Sequence, residues 1–409
     1  MRLKLIYPRP QPRFLSRPRT PALPLLPFRH SITTANPSLI EEQTLPFYHK
    51  KRYYPVCIGD TFKEERYRII AKLGYGGYST VWLAWDNSTN QYASLEVSIE
   101  QSEDKPSPVV NEVNMLRRMK TFAETGDPDN PGLLFTRLAT DIFDIHTLSG
   151  RHSCMVFKPQ GHSLRMLQTT FPDAKVPNPL VGALMHRLFF SLNWLYARCK
   201  LIHTDISPLN VLTRLGDEDS FKHIEDQKSQ NPSVPIISDT GVAVYQSRHS
   251  FLQCGGIPIL TDFGNMREDD GRILDDWVMP DIYRAPETLE LLEGRNLFDP
   301  VDRVHNQYVL PLALAQYIAY LGPPPLHMLR ESPHFSTYFD EQGNWTLSEA
   351  PIPKTSLEDF VTVIPPGEEK DLFLKFIRRM LVWDPVERAV ANEIIDDEWL
   401  TGPIEQRLP

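Results

Sequence analysis

Five short motifs follow one another in a fixed order along the 409 residues, and that order constrains the fold more than any bulk property does. The first is Gly74-Tyr75-Gly76-Gly77-Tyr78-Ser79-Thr80-Val81. After it come His203-Thr204-Asp205-Ile206-Ser207-Pro208-Leu209-Asn210, Asp262-Phe263-Gly264, Tyr283-Arg284-Ala285-Pro286-Glu287 and Trp383-Asp384-Pro385-Val386-Glu387-Arg388. Glycines between two strands let backbone N–H groups approach an anionic phosphate with no side chain in the way. A Gly-rich hairpin alone is more often a plain turn. The carboxylates and amide that follow in order turn the hairpin into half of a site.

The pattern around these motifs predicts the organisation. Tyr67 to Leu73 and Thr80 to Trp85 alternate as strands on either side of the glycines, a hairpin. Asn111 to Met119 carries Val113, Leu116 and Met119 at helical spacing. Leu180 to Tyr196 places Val181, Leu184, Leu188, Leu192 and Leu195 on one face of a long core helix. A β-rich first part followed by an α-rich second part predicts an α+β chain of two lobes with a cleft between them. The expected units are a basic, Pro-rich, disordered tail over 1–45, an N-lobe over 46–157 and a C-lobe over 158–409. Residues 213–258 read as a polar insertion in the C-lobe, a mobile loop.

Charge and cysteine usage exclude several classes. Residues 1–40 hold six Arg, one Lys and no acid, so against a net −9 the rest carries −16. An acidic body disfavours nucleic acid and favours basic partners. The four cysteines are scattered and form no C-x-x-C pair, which reads as reduced thiols in an intracellular chain without disulfide or metal-finger scaffolding. No run supplies the ~18–20 apolar residues of a membrane helix. The Arg-rich, acid-free tail has the composition of a mitochondrial presequence, yet its eight prolines oppose the amphipathic helix such a signal needs. A disordered tail is the plainer reading.

The five motifs resemble the eukaryotic protein-kinase set of Gly-rich loop, catalytic loop, D-F-G and A-P-E. Over about residues 40–400 the chain most resembles SR-protein kinases, especially their fungal relatives. Tyr53-Tyr54-Pro55-Val56-Cys57-Ile58-Gly59-Asp60, the run Ser79 to Ala84, His203-Thr204-Asp205 and Leu321-Gly322-Pro323-Pro324-Pro325 carry that narrower match. A small-molecule phosphotransferase shares an H-x-D-x-x-x-x-N loop but not the A-P-E and W-D-P-x-x-R elements. The resemblance implies a monomeric serine/threonine kinase of cytoplasm and nucleus that uses ATP and Mg²⁺ on Arg-Ser-rich proteins and so acts on mRNA processing, without direct contact to nucleic acid or membrane.

Site roles follow by position. Asp205 would accept or orient the substrate hydroxyl proton, with Asn210 and Asp262 holding Mg²⁺. Gly74, Gly76, Gly77, Ser79 and Val81 would cradle the nucleotide, and Glu112 would pair with a strand lysine. Backbone groups at Val156-Phe157-Lys158 would take the adenine. Arg388 would pair with Glu287; without the resemblance, this pair and that of Glu112 would be surface ion pairs worth little.

Three departures argue against efficient catalysis. The family's V-A-L-K-V aligns with Ala93-Ser94-Leu95-Glu96-Val97, so Glu96 stands where an ammonium should meet the phosphates, and neither Lys72 nor Thr80 to Trp85 promises a substitute. Ser207 replaces the catalytic-loop lysine. Two cations missing from a charge-stabilised reaction cost ~3–4 kcal/mol of barrier each. Third, no D-x-W and no long apolar helix follows Glu287, whether because the protein is degenerate or because its coding sequence lost a segment; the apolar face of Leu180 to Tyr196 should then be partly uncovered. From Asp262 to Tyr283 there is no Ser, Thr or Tyr to phosphorylate before Tyr283, and Thr204 replaces the arginine that would clamp a phosphate there, which implies a constitutive conformation. Glu268, Asp269, Asp270, Asp275 and Asp276 read either as a docking surface for an Arg-rich peptide or as a solvated loop. The rival to a kinase is a pseudokinase: a binding or scaffold module with the same fold.

Overall fold

The β2–β3 hairpin organises the first half of the chain. The computed structural model describes residues 39–402 apart from 102–106, 149, 216–218, 231–232, 238–241, 248–253, 270–286, 306, 333–334 and 385. Six antiparallel strands form one sheet in the order β1-β2-β3-β4-β6-β5, with β1 Thr61–Phe62, β2 Tyr67–Tyr75, β3 Ser79–Asp86, β4 Gln91–Ser98, β5 Ala139–His146 and β6 Arg151–Phe157. Alternation sends successive side chains to opposite faces. Trp82, Ala84, Leu95, Cys154 and Val156 pack on one face with Val56, Phe62 and Tyr67. Met155 and Ile142 turn to the other face, where they meet Val113, Leu116 and Met119 of the cleft helix Pro108–Thr125. Ser107 caps that helix, its hydroxyl accepting the Val109 N–H, and Pro108 opens it where no N–H is needed.

Residues 40–45, assigned above to a disordered tail, are ordered and packed. Glu42 is buried against Lys72 on β2, and a short helix α1 (Pro46–His49) follows. The insertion also departs from expectation. Its ends form a strand pair, β7 (Val211–Leu215) with β8 (Cys254–Leu260), and between them lie helix Asp219–Gln230 and two short paired strands, Ile236–Ile237 and Ala243–Val244. The polar composition hides Phe221 and Ile224, one helical turn apart, which bury against Ile70, Ala71 and Leu83 of the N-lobe sheet. Tyr245 covers the opposite face, edge-on to Trp82 at 5.9 Å. A segment sequentially in the C-lobe thus closes both faces of the N-lobe sheet.

The second lobe is built around the helix Asn178–Asn193, extended by a wide turn over Trp194–Cys199. Val181, Leu184, Leu188 and Leu195 are buried and Leu192 is half-buried against the same core, so the face expected to be partly uncovered is largely covered. Part of its cover comes from a seven-residue helix, Glu287–Glu293, whose Leu289, Leu291 and Leu292 are fully buried in the same core. A helix does follow Glu287, but at seven residues it is not the long apolar helix whose absence was expected; it is pinned at its middle and at its C-terminal end. Glu290 bonds Arg165, and the Glu293 carboxylate accepts the N–H groups of Thr362 and Val363 at 2.6 and 2.9 Å. Gly294 then stops the helix at φ +70°, where a Cβ would lie 2.4 Å from the Asp173 carbonyl. Helices Leu310–Leu321 and Glu368–Met380 complete the lobe, Phe376 of the latter meeting Phe189 edge-on. Among the described residues, no helix is long and apolar enough to cross a membrane.

Candidate active site

The Gly-rich turn is tight because the Gly76 N–H bonds the Ser79 carbonyl at 2.8 Å. Its outer side is held by the N-terminal segment: the Tyr53 hydroxyl donates to the Gly76 carbonyl at 2.7 Å, and the Phe47 ring packs on Tyr78. Its inner side faces a cavity of about 420 Å³. A Cβ added at Gly74, Gly76 or Gly77 would meet nothing within 4 Å, so the glycines leave open room beside the backbone amides. Ser79, Val81, Glu112, Asn210 and Asp262 share the cavity wall with them.

The opposite wall is the loop of 203–210, fixed from behind by His203. This imidazole is buried; its Nε2 donates to the Thr261 carbonyl at 3.0 Å while Nδ1 accepts the Asp205 N–H at 3.3 Å. Burial pushes its pKa down to about 4, which keeps the neutral tautomer this pair of bonds requires. Its ring also meets Phe263 edge-on. Asn210 donates to the Asp205 carbonyl at 2.8 Å, leaving its amide oxygen as the ligand atom. Asp205 itself reaches the wall through Asn210 and through Asn265, whose Nδ2 lies 3.3 Å from its carboxylate. Asp262 follows β8 at φ +64° and Thr204 stands at φ +63°. Non-glycine residues rarely adopt this conformation; each stores ~1–3 kcal/mol, which the surrounding bonds hold in place.

Carboxylates crowd the space between the walls. Burial, then Glu96, then Asp205 push Asp262 up to about 6. Glu112, half-buried, is raised well above the usual carboxylate range by desolvation, then by Glu96 and Asp262. Its oxygen accepts the Phe263 N–H at 3.3 Å, and the neighbouring Asn111 donates to the Gly264 and Met266 carbonyls. Glu112 therefore meets a backbone donor where a lysine was expected. Glu96 accepts a bond of 2.7 Å from Ser79. Lys72 cannot relieve the crowding, being fully buried on the far side against Glu42 and, at 3.5 Å, Glu41.

The cation in this wall is Arg137, which the sequence reading passed over. It stands just before β5, where its N–H bonds the Leu260 carbonyl of β8. The guanidinium lies 3.8 Å over the Phe157 ring, 3.4 Å from Glu96, 3.2 Å from the Thr261 hydroxyl and 3.5 Å from that of Ser94. A lone arginine between apolar Leu133–Phe135 and Leu138 was the available signal. Phe157 is the site residue that the structure places differently. Its backbone pairs with Ser94 on one side and Ala139 on the other, its ring lies beneath Arg137, and Gln160 and Gly161 line the cavity beyond it.

Ser207 contributes its carbonyl to the Asn210 N–H, and Arg388 donates to the Val382 carbonyl at 3.1 Å. The Glu287 side chain, Asp270, Asp275, Asp276 and most of the segment up to Pro286 lie outside the described residues. Of the acidic set, Glu268 is paired with Arg118 at 2.7 Å.

No protein-family model matches the chain. A serine/threonine protein kinase of Aspergillus fumigatus is 33% identical over 410 residues, spanning 94% of this chain and 95% of the relative. Serine/threonine-protein kinase SRPK of Physarum polycephalum is 26% identical over 410 residues, 88% of this chain and 91% of its own. SRSF protein kinase 3 of Mus musculus is 35% identical over 178 residues, 43% of this chain and 30% of that protein.

Proposed function

Since the chain belongs to the serine/threonine protein kinases and is similar to the SR-protein kinases among them, we propose that it binds Mg-ATP in the cleft between its lobes and phosphorylates serines in basic, Arg-Ser-rich proteins. The observation that carries this reading is the convergence of the open Gly-rich turn, Asn210 and Asp262 on one cavity. Oxygen donors at Asn210 and Asp262 suit a hard cation. Mg-ATP supplies the phosphoryl group and the counter-charge. Asp205, held by Asn265 and by the neutral His203, orients the serine hydroxyl and receives its proton. The acidic body draws in a basic substrate.

Glu96 and Ser207 favour a second reading, a pseudokinase that binds nucleotide and basic peptide with little turnover. The test is phosphorylation of an Arg-Ser-repeat peptide by the full 409-residue chain, read by mass spectrometry beside thermal melts with and without Mg-ATP. Phosphoserine that requires Mg²⁺ and disappears in Asp205→Ala supports the kinase. A melt raised by Mg-ATP without phosphoserine supports the scaffold, and a melt indifferent to Mg-ATP removes both. A role in mRNA processing and residence in cytoplasm and nucleus belong to this proposal; imaging tagged chains with and without residues 1–40 checks the latter, and mitochondrial signal would overturn it.

A further inference from the structure

We propose that Arg137 is the cation that receives the phosphates of the nucleotide, taking over from another strand the duty of the lysine missing at position 96. The inference rests on the nucleotide-binding reading above and deepens it.

A guanidinium carries five N–H donors in a planar fork. Arg137 is about nine-tenths buried, yet its donors are poorly used: the contacts to Glu96, Thr261 and Ser94 are 3.4, 3.2 and 3.5 Å, and Nε has no acceptor. Charge-assisted bonds normally close to ~2.7–2.9 Å. Ser79 anchors one Glu96 oxygen at 2.7 Å, closer than the arginine holds the other at 3.4 Å. The ion pair of Arg137 with Glu96 is long at 3.4 Å and the arginine Nε is unmet, so the guanidinium in this cavity wall has donor capacity left for a second, better-placed anion. Stacking on Phe157 fixes the guanidinium plane and leaves its N–H edge for acceptors.

Placement in the wall supports the same conclusion. Arg137 shares the cavity with the Gly-rich turn and Asp262 and is the basic side chain in that wall among the described residues, where Glu96, Glu112 and Asp262 supply the acid. A polyanion entering there has this cation to meet. Exchanging lysine for glutamate at 96 therefore accompanies a transfer of the positive charge to a position some 40 residues on in sequence.

The deciding experiment is calorimetric titration of the full chain and of Arg137→Met with Mg-ATP, Mg-ADP and adenosine. The expected result is at least a tenfold rise in Kd for ATP and ADP, with adenosine changed less than threefold. Arg137→Lys should recover most of the ATP affinity. Equal losses for ATP and adenosine would overturn the proposal, since they mark an arginine that only shapes the base pocket; so would unchanged ATP binding. If Arg137→Met does not melt cooperatively, Arg137→Gln, which retains hydrogen-bonding capacity without charge, is judged by the same comparison. A wild-type chain that binds no ATP overturns the nucleotide reading itself, whereas a wild type that binds ATP beside an indifferent Arg137→Met overturns only this inference.

Discussion

The two walls of the cleft hold their charges in different ways. On the catalytic-loop wall each group sits at the position its motif announces: Asp205, Asn210 and Asp262 are tied together by His203, Asn265 and the Thr261 carbonyl. On the sheet wall the identities have changed, with Glu96 where an ammonium belongs and Arg137 arriving from the start of β5. Loop geometry depends on short-range backbone bonds that only particular side chains satisfy, so residue type and position stay linked. Net charge in a buried cavity is less local, because any strand whose side chain reaches the space can supply it.

Removing Asp262 should have the largest effect. Asp262→Ala is expected to abolish the Mg²⁺-dependent part of ATP stabilisation and to lower peptide phosphorylation by about 10³-fold, measured by melts in Mg-ATP against ATP with chelator and by initial rates. Unchanged rates would mean that the loop wall is not where the metal acts. Next comes restoration of the sheet wall: Glu96→Lys with Arg137→Val and Ser207→Lys should raise the rate ~10²-fold or more. No gain would show that the slow step lies elsewhere in the fold.

His203 gives a pH test of the loop wall. With a folded pKa near 4 against about 6.5 unfolded, the unfolded chain binds more protons between those values, so this group makes stability rise with pH from about 4 to 6.5 and level off above. The stability deficit of His203→Gln relative to wild type should therefore be largest above pH 6.5 and shrink by about 3 kcal/mol towards pH 4, read from urea melts. A constant deficit would mean that the imidazole is not held neutral. Smallest is the turn on the sheet wall: Tyr53→Phe removes the bond to the Gly76 carbonyl and should cost ~1 kcal/mol of stability, with ATP affinity weakened more than adenosine affinity if the turn positions phosphates. Equal weakening would assign Tyr53 to packing alone.

Legibility followed the same division. The hairpin, the cleft helix and the long C-lobe helix were readable because apolar periodicity and caps act over a few residues; the structure lengthens the strand slightly to Tyr67–Tyr75, doubles the cleft helix to Pro108–Thr125, and ends the C-lobe α-helix Asn178–Asn193 in a wide turn. The insertion was misread because two apolar residues, Phe221 and Ile224, disappear in an otherwise polar stretch. The helix of Glu287–Glu293 was missed because seven residues have little helical stability of their own and need Glu290 and Glu293 anchored by distant partners.

By itself the sequence determined the kinase architecture, the loop-wall residues and the loss of two lysines, since these are statements about residue type at fixed local spacing. Only the tertiary structure decided that Lys72 is consumed by Glu42, that Phe157 supports an arginine, and that Arg137 faces the glycines across the cavity. Those facts depend on which side of a sheet a residue faces and on what the chain brings to it from far away, and no pattern along one segment encodes either.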